Sequence, residues 1–259
     1  MIEDLLPDSV VAVETHGQAD AENITLYPEE AALVARSVAK RRREFALVRA
    51  CARRAMEKLG VPPQPVLPGE RGAPQWPAGL TGSMTHCDGY CAAALVRATD
   101  LASLGIDAEP HGPLPDGVLD SVSLPDERIR LRRLAASRPG IHWDRLLFSA
   151  KESVYKAWFP LTGIWLDFAE ADIDILVDPG EFPRGRLRAE LLVPGPVLGG
   201  QRRGVFEGRW TVRDGLVATS VVVGGGGAGG AGPPRGGGVS RPPPPGRGPA
   251  GGPPPGVAP

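Results

Sequence analysis

The chain has 259 residues and almost balanced charge, with 29 Lys and Arg against 30 Asp and Glu. Its last 36 residues, 224–259, hold 15 Gly and 11 Pro; they have almost nothing to bury and read as a disordered tail. Without the three tail arginines, 26 basic groups face 30 acidic ones over 223 residues. That mildly acidic balance argues against a general nucleic-acid binder.

No apolar run is long enough to span a bilayer. The first residues, "MIEDLLPDSV", lack the basic start and apolar core of a signal peptide. Cys51, Cys87 and Cys91 are an odd number without framework spacing, which points to a reducing, cytoplasmic setting.

Taken in chain order, "VVAVET" (10–15) reads as a strand. Residues 27–60 read as one long helix, with Pro28 near its start and Gly60 at its stop. Phe45, Val48, Ala52, Met56 and Leu59 give that helix its apolar stripe. Arg42, Arg49 and Arg53 run beside the stripe and Arg41 falls close to it. An arginine at the edge of a core usually meets an anion; Arg53 and Arg54 read more simply as a solvated basic face.

Residues 61–80 are a Pro- and Gly-rich loop. "CAAALVRAT" and "ASLGIDAE" follow as strands with a turn near Thr99 and Asp100. After a loop over 113–125, "PDERIRLRRLAA" and "IHWDRLLFSAKESVYKAWF" read as helices, the second ended by Pro160. "ADIDILV", "LRAELLV", "VFEGRWTVRDG" and "LVATSVVV" are strands. The order fits an α+β or α/β domain; two related halves meeting near residue 105 are one arrangement it allows, though no internal sequence repeat marks them.

Two stretches carry chemistry. In "GIDAE", Asp107 and Glu109 are two apart in a strand and share one face. Either both are hydrated at a strand end, or a cation sits between them. In "FSAKESVYKAW", Glu152 and Lys156 share a helix face, as an ordinary i,i+4 ion pair would. Lys151 instead falls among the aliphatic positions Leu147, Val154 and Trp158, where it must snorkel or meet an anion. Together Asp107, Glu109 and Glu152 offer an oxygen-only ligand set suited to Mg²⁺. The arginines with Lys151 and Lys156 suit phosphates, and a metal that bridges phosphates is the usual machinery of phosphoryl-type transfer. No Gly-rich Walker loop is present.

"GIDAE" followed some forty residues later by "FSAKESVYKAW" resembles the 4′-phosphopantetheinyl transferases of the surfactin/enterobactin-synthetase type, most nearly the actinobacterial members. "RRREFALVRACARRAM", "GAPQWPAGLTGSMTHCDGYCAAALV" and "WFPLTG" agree with it, and the likeness covers about residues 5–223. It implies a monomeric pseudo-dimer of two similar α/β halves, 1–105 and 106–223, with coenzyme A in the cleft between them. The implied reaction moves phosphopantetheine to a serine of an apo acyl or peptidyl carrier protein and releases 3′,5′-ADP. Such enzymes serve fatty-acid, polyketide, nonribosomal peptide or siderophore synthesis.

By motif position Asp107 and Glu152 become Mg²⁺ (or Mn²⁺) ligands, with Glu109 a third or water-mediated one. Glu152, or a water it holds, becomes the base for the serine. Lys156 becomes the pyrophosphate contact, with Lys151 assisting. The same resemblance gives His86 a phosphate, with Ser83 and Thr85 adding donors. Arg41 and Arg49 hold the 3′-phosphate of coenzyme A, with Arg42 an alternative to Arg41. Pro68 stands where some relatives carry a lysine, and Arg71 is the candidate to replace it. Two rivals are a non-catalytic module that binds coenzyme A or a carrier protein, and a Mg²⁺-dependent phosphotransferase acting on a nucleotide alone. Only the transferase converts an apo-carrier protein.

Overall fold

The computed structural model of the chain describes residues 1–17 and 24–225. The segment expected to be a disordered tail lies outside the described residues from position 226 onward. The first strand is β1, Val11–His16. Where one helix is expected over 27–60 there are two, α1 (Pro28–Val34) and α2 (Ala39–Lys58). The phase of the apolar stripe explains the break. Val34 is buried, but Val38 one turn later is exposed, so a continuous helix would not keep one face on the sheet.

Residues 80–87 show no apolar alternation, yet they form β2 (Leu80–Cys87), paired antiparallel with β3 (Tyr90–Arg97). The turn between them is Asp88-Gly89, with Gly89 at φ 73°, the dipeptide that two-residue hairpins favour. The three strands lie in the order β1-β3-β2. α2 buries Cys51, Ala52, Ala55 and Met56 against Ala93 and Leu95 of β3.

The chain continues through β4 (Leu101–Pro110), α3 (Val118–Val122), α4 (Pro125–Ser137) and α5 (Trp143–Thr162). It then runs through β5 (Ala171–Val177), β6 (Arg184–Leu191), β7 (Val197–Leu198), β8 (Gln201–Arg202), β9 (Val205–Arg213) and β10 (Leu216–Gly224). The second sheet has the order β4-β10-β9-β6-β5. All described strand pairs are antiparallel, so the class is mixed α+β rather than a parallel α/β alternation. The chain changes sheets between Arg97 and Leu101, while the expected division at residue 105 falls inside β4. α3 occupies part of the expected loop. α5 runs through Pro160 and stops at Gly163, whose left-handed φ of 65° closes it.

The two sheets meet at the edges of β2 and β4 through side chains. The Ser83 hydroxyl accepts from the Ile106 N–H at 3.1 Å, and the Thr85 hydroxyl from the Ala108 N–H at 3.1 Å. Buried backbone donors are thereby satisfied without a ladder. Along β4 alternate residues then face two different layers. Leu104, Ile106 and Ala108 pack with Ile2, Leu5, Tyr90 and Ala92. Gly105 meets the backbone of α5: a Cβ there would lie 2.0 Å from the Ser153 carbonyl oxygen.

That close approach yields a test. Gly105→Ala must push α5 off β4. It should cost about 1–3 kcal/mol of stability, as overpacking does, and lower activity together with it. Thermal unfolding and a transfer assay on the same preparation check this; an unchanged melting temperature would show that α5 is not seated as described.

Candidate active site

β4 and α5 supply most of the site. At about 100° per residue, Arg145, Ser149, Glu152, Ser153 and Lys156 fall on one side of α5, toward β4 and β10. Lys156 Nζ donates to Asp107 Oδ1 at 2.8 Å and to the Ile106 carbonyl at 3.1 Å. Thr85 donates to the same Asp107 oxygen at 3.4 Å. Asp107 is 4% exposed, and its second oxygen, Oδ2, is buried without a hydrogen-bond partner. An orphaned carboxylate oxygen in a protein interior is costly and marks a place where a donor or cation belongs.

The neighbouring acids are perturbed in one direction. Burial, and then the Asp107 charge, push Glu109 up to about 7, with Arg145 and Lys156 opposing. Burial also raises Glu152; the Lys156 ammonium opposes this and the Asp107 charge adds to it. Lys156 loses by desolvation but gains more from Asp107 and Glu152, so its ammonium is held above the ordinary lysine range. On the β2 side stands His86, its Nε2 4.0 Å from Glu44. Desolvation lowers its pKa, Glu44 opposes, and the positive charges of Lys156 and Arg41 lower it further. Arg41, in the first turn of α2, is therefore electrostatically part of this group. Arg71 sits at φ 50°, its guanidinium 5.5 Å from the centre of the Trp165 ring. Trp165 in turn lies 5.0 Å from Tyr155 of α5. A mixture of acids and cations of this kind has the chemistry to bind anions and to move a proton.

Two family models match the chain in tandem. The 4′-phosphopantetheinyl transferase N-terminal domain covers residues 29–96, and the 4′-phosphopantetheinyl transferase superfamily covers residues 103–193. The chain belongs to the 4′-phosphopantetheinyl transferase superfamily. It is 60% identical over 222 residues to the 4′-phosphopantetheinyl transferase Svp of Streptomyces mobaraensis, covering 85% of this chain and 88% of that protein. It is 50% identical to PptT of Mycobacterium tuberculosis over 204 residues, 79% of this chain and 88% of that one. To Npt of Nocardia iowensis it is 49% identical over 224 residues, 85% and 99% of the two chains. Transferases of this superfamily move phosphopantetheine from coenzyme A to carrier proteins.

Not every residue expected at the transferase site is there. Lys151 lies on the opposite side of α5, 3% exposed. Its ammonium pairs with the fully buried Glu127 at 2.8 Å and donates to the Phe168 and Ala171 carbonyls. It met its anion inside the core, and it ties α4 to α5 and β5. Arg49 is likewise withdrawn: it donates to the Val66 carbonyl at 3.0 Å, stacks on Phe45 and lies 3.8 Å from buried Glu30. Burial pushes its pKa down to about 10, against the pull of Glu30. Arg53 also pairs with Glu30, at 3.0 Å, so it is not a solvated face. Arg42 donates to the Ser37 carbonyl. Ser83 and Thr85 join β2 to β4, and only Thr85 touches the site, through Asp107.

Among the described residues no three His, Cys, Asp or Glu side chains gather as a metal cage. Of the expected trio, Asp107 gives its Oδ1 to Lys156 at 2.8 Å and Glu109 pairs with Arg145 at 3.1 Å. The donor chemistry still fits a hard divalent ion, with the orphaned Asp107 Oδ2 and the carboxylate of Glu152 as oxygen ligands. Arg145 is the residue that the sequence reading missed. Its spacing of seven from Glu152 places it on the same helix face, and that spacing could have found it.

The placement of Lys151 carries a prediction. Lys151→Met should lose about 3–5 kcal/mol of stability, because Glu127 would stay charged and unpaired in the core. The folded fraction should keep the wild-type KM for coenzyme A. Urea unfolding with steady-state kinetics separates this from a phosphate-binding role, which would raise KM at unchanged stability.

Proposed function

We propose that this site transfers 4′-phosphopantetheine from coenzyme A to a serine hydroxyl of apo acyl and peptidyl carrier proteins, giving the holo-carrier protein and adenosine 3′,5′-bisphosphate. The observation that carries the reading is the pairing of Lys156 with Asp107, whose buried Oδ2 is left without a partner, with Glu152 one turn before Lys156 on the same helix face. Glu152, with its raised pKa, takes the serine proton, directly or through a water. The serine oxygen then forms a bond to the β-phosphorus as the bond from that phosphorus to the bridging oxygen breaks. Lys156 neutralises charge that grows on the leaving bisphosphate. In this reading His86 and Arg41 hold phosphate oxygens and Arg71, 5.5 Å from the Trp165 ring centre, takes the nucleotide end.

Asp107 and Glu152 would hold Mg²⁺ (or Mn²⁺), with Glu109 through a water. When bound, the ion supplies charge neutralisation and orientation of the pyrophosphate. The two family models fall on either side of residues 97–102, and two separate sheets carry them. These features support two half-domains that divide ahead of β4 rather than at residue 105, built as a pseudo-dimer around the ligand cleft. No helix among the described residues is long and apolar enough to cross a membrane.

The decisive measurement is intact-protein mass spectrometry of an apo-carrier protein with this protein, coenzyme A and Mg²⁺. The carrier should gain one phosphopantetheine unit, and EDTA should suppress the gain. Asp107→Ala should lower the rate at least about 10²-fold with its thermal transition retained. A fully active Asp107→Ala enzyme would overturn the assignment.

A further inference from the structure

Thr219 lies in β10, directly across the ladder from Asp107 of β4. It is wholly buried, as are Ser149 and Ser153 of α5. The Thr219 hydroxyl donates to the Ser149 carbonyl at 2.9 Å and lies 2.9 Å from the Ser149 hydroxyl and 2.7 Å from the Ser153 hydroxyl. The Ser153 hydroxyl also reaches the Thr219 carbonyl at 3.3 Å. The three hydroxyls and two carbonyls form one buried network. Ser149 and Ser153 are one turn apart and flank Glu152, and Lys156 follows three residues after Ser153.

The helix needs such a fixture. Its contact with β4 at Gly105 is backbone on backbone, and the α5 residues met there are the small Ser153 and Ala157. Small smooth surfaces bring two elements close but resist sliding and rotation weakly. Directional hydrogen bonds in a dry interior do resist them. The same short β10 segment therefore pairs with the strand that bears Asp107 and grips the helix that bears Glu152 and Lys156.

We infer that Thr219 is a positioning residue for phosphopantetheinyl transfer: its hydroxyl sets the register of α5 on β4 and so the placement of Glu152 and Lys156 against Asp107. This rests on the assignment of those three as site residues. A misplacement of about 1 Å between reacting groups lowers turnover on the order of 10²-fold.

The test compares Thr219→Val, which keeps the shape and removes the hydroxyl, with Thr219→Ser, which keeps the hydroxyl and removes a methyl group. Each is assayed for kcat and for KM toward coenzyme A and an apo-carrier protein, with melting temperatures alongside. Thr219→Val should lower kcat by about 10- to 10²-fold with both KM values nearly unchanged. Thr219→Ser should melt earlier than wild type yet recover most of kcat. Wild-type kcat in Thr219→Val, or equal losses in both variants, would overturn the inference, because activity would then be indifferent to the hydroxyl or merely track stability. If Thr219→Val does not fold, Ser153→Ala removes one arm of the network. It should lower kcat without moving KM, and wild-type kcat there overturns the inference equally. Glu152→Gln is run in parallel. If it stays active, the site assignment fails; if it is inactive while Thr219→Val is unaffected, the positioning role alone fails.

Discussion

The close approach of α5 to β4 at Gly105 is the constraint from which the site follows. No side chain fits between that glycine and the Ser153 carbonyl. The residues on either side of the contact are therefore brought nearer than ordinary helix-on-sheet packing would bring them. Asp107, two residues along the strand, and Lys156, three along the helix, end 2.8 Å apart. Glu152 is carried into the same low-dielectric pocket, and burial raises its pKa. A larger residue at position 105 would separate Glu152 from the charges that surround it.

Three sets of buried charges hold this arrangement, and they do different work. Glu127 with Lys151 fixes the far side of α5 to α4 and β5. Glu30 with Arg49 and Arg53 fixes α1 and α2 to the loop at Val66. Each acid of those two sets has its cations and backbone donors in place. Only the third set, around Asp107, leaves a buried oxygen without a partner. A structural pair is stable when its bonds are complete, whereas an unpartnered carboxylate oxygen marks a place where a cation or a donor belongs.

The acidic motifs were legible because their chemistry depends on spacing. Asp107 and Glu109 alternate correctly for one strand face, and Glu152 and Lys156 for one helix face. The apolar position of Lys151 was legible too, and so was its need for an anion. Which anion was not. Glu127 lies 24 residues away on another helix, and no local pattern ties the two together. The strand β2 was missed because its small and polar residues give no alternation. Its buried hydroxyls bond to the neighbouring strand rather than to solvent. The Asp88-Gly89 turn was its one local mark.

By itself the sequence determined the mixed class, most of the strands and helices, the family resemblance, and the pair of motifs on which that resemblance rests. These follow from period, turn chemistry and motif spacing, all properties of residues near each other along the chain. Only the tertiary structure decided which cations the carboxylates meet. It turned Lys151 and Arg49 into core ties, brought Arg145 onto Glu109, and placed Thr219 of the last described strand against the helix of Glu152. Such partners are chosen by how helices and sheets pack, and packing joins residues that sequence order keeps far apart.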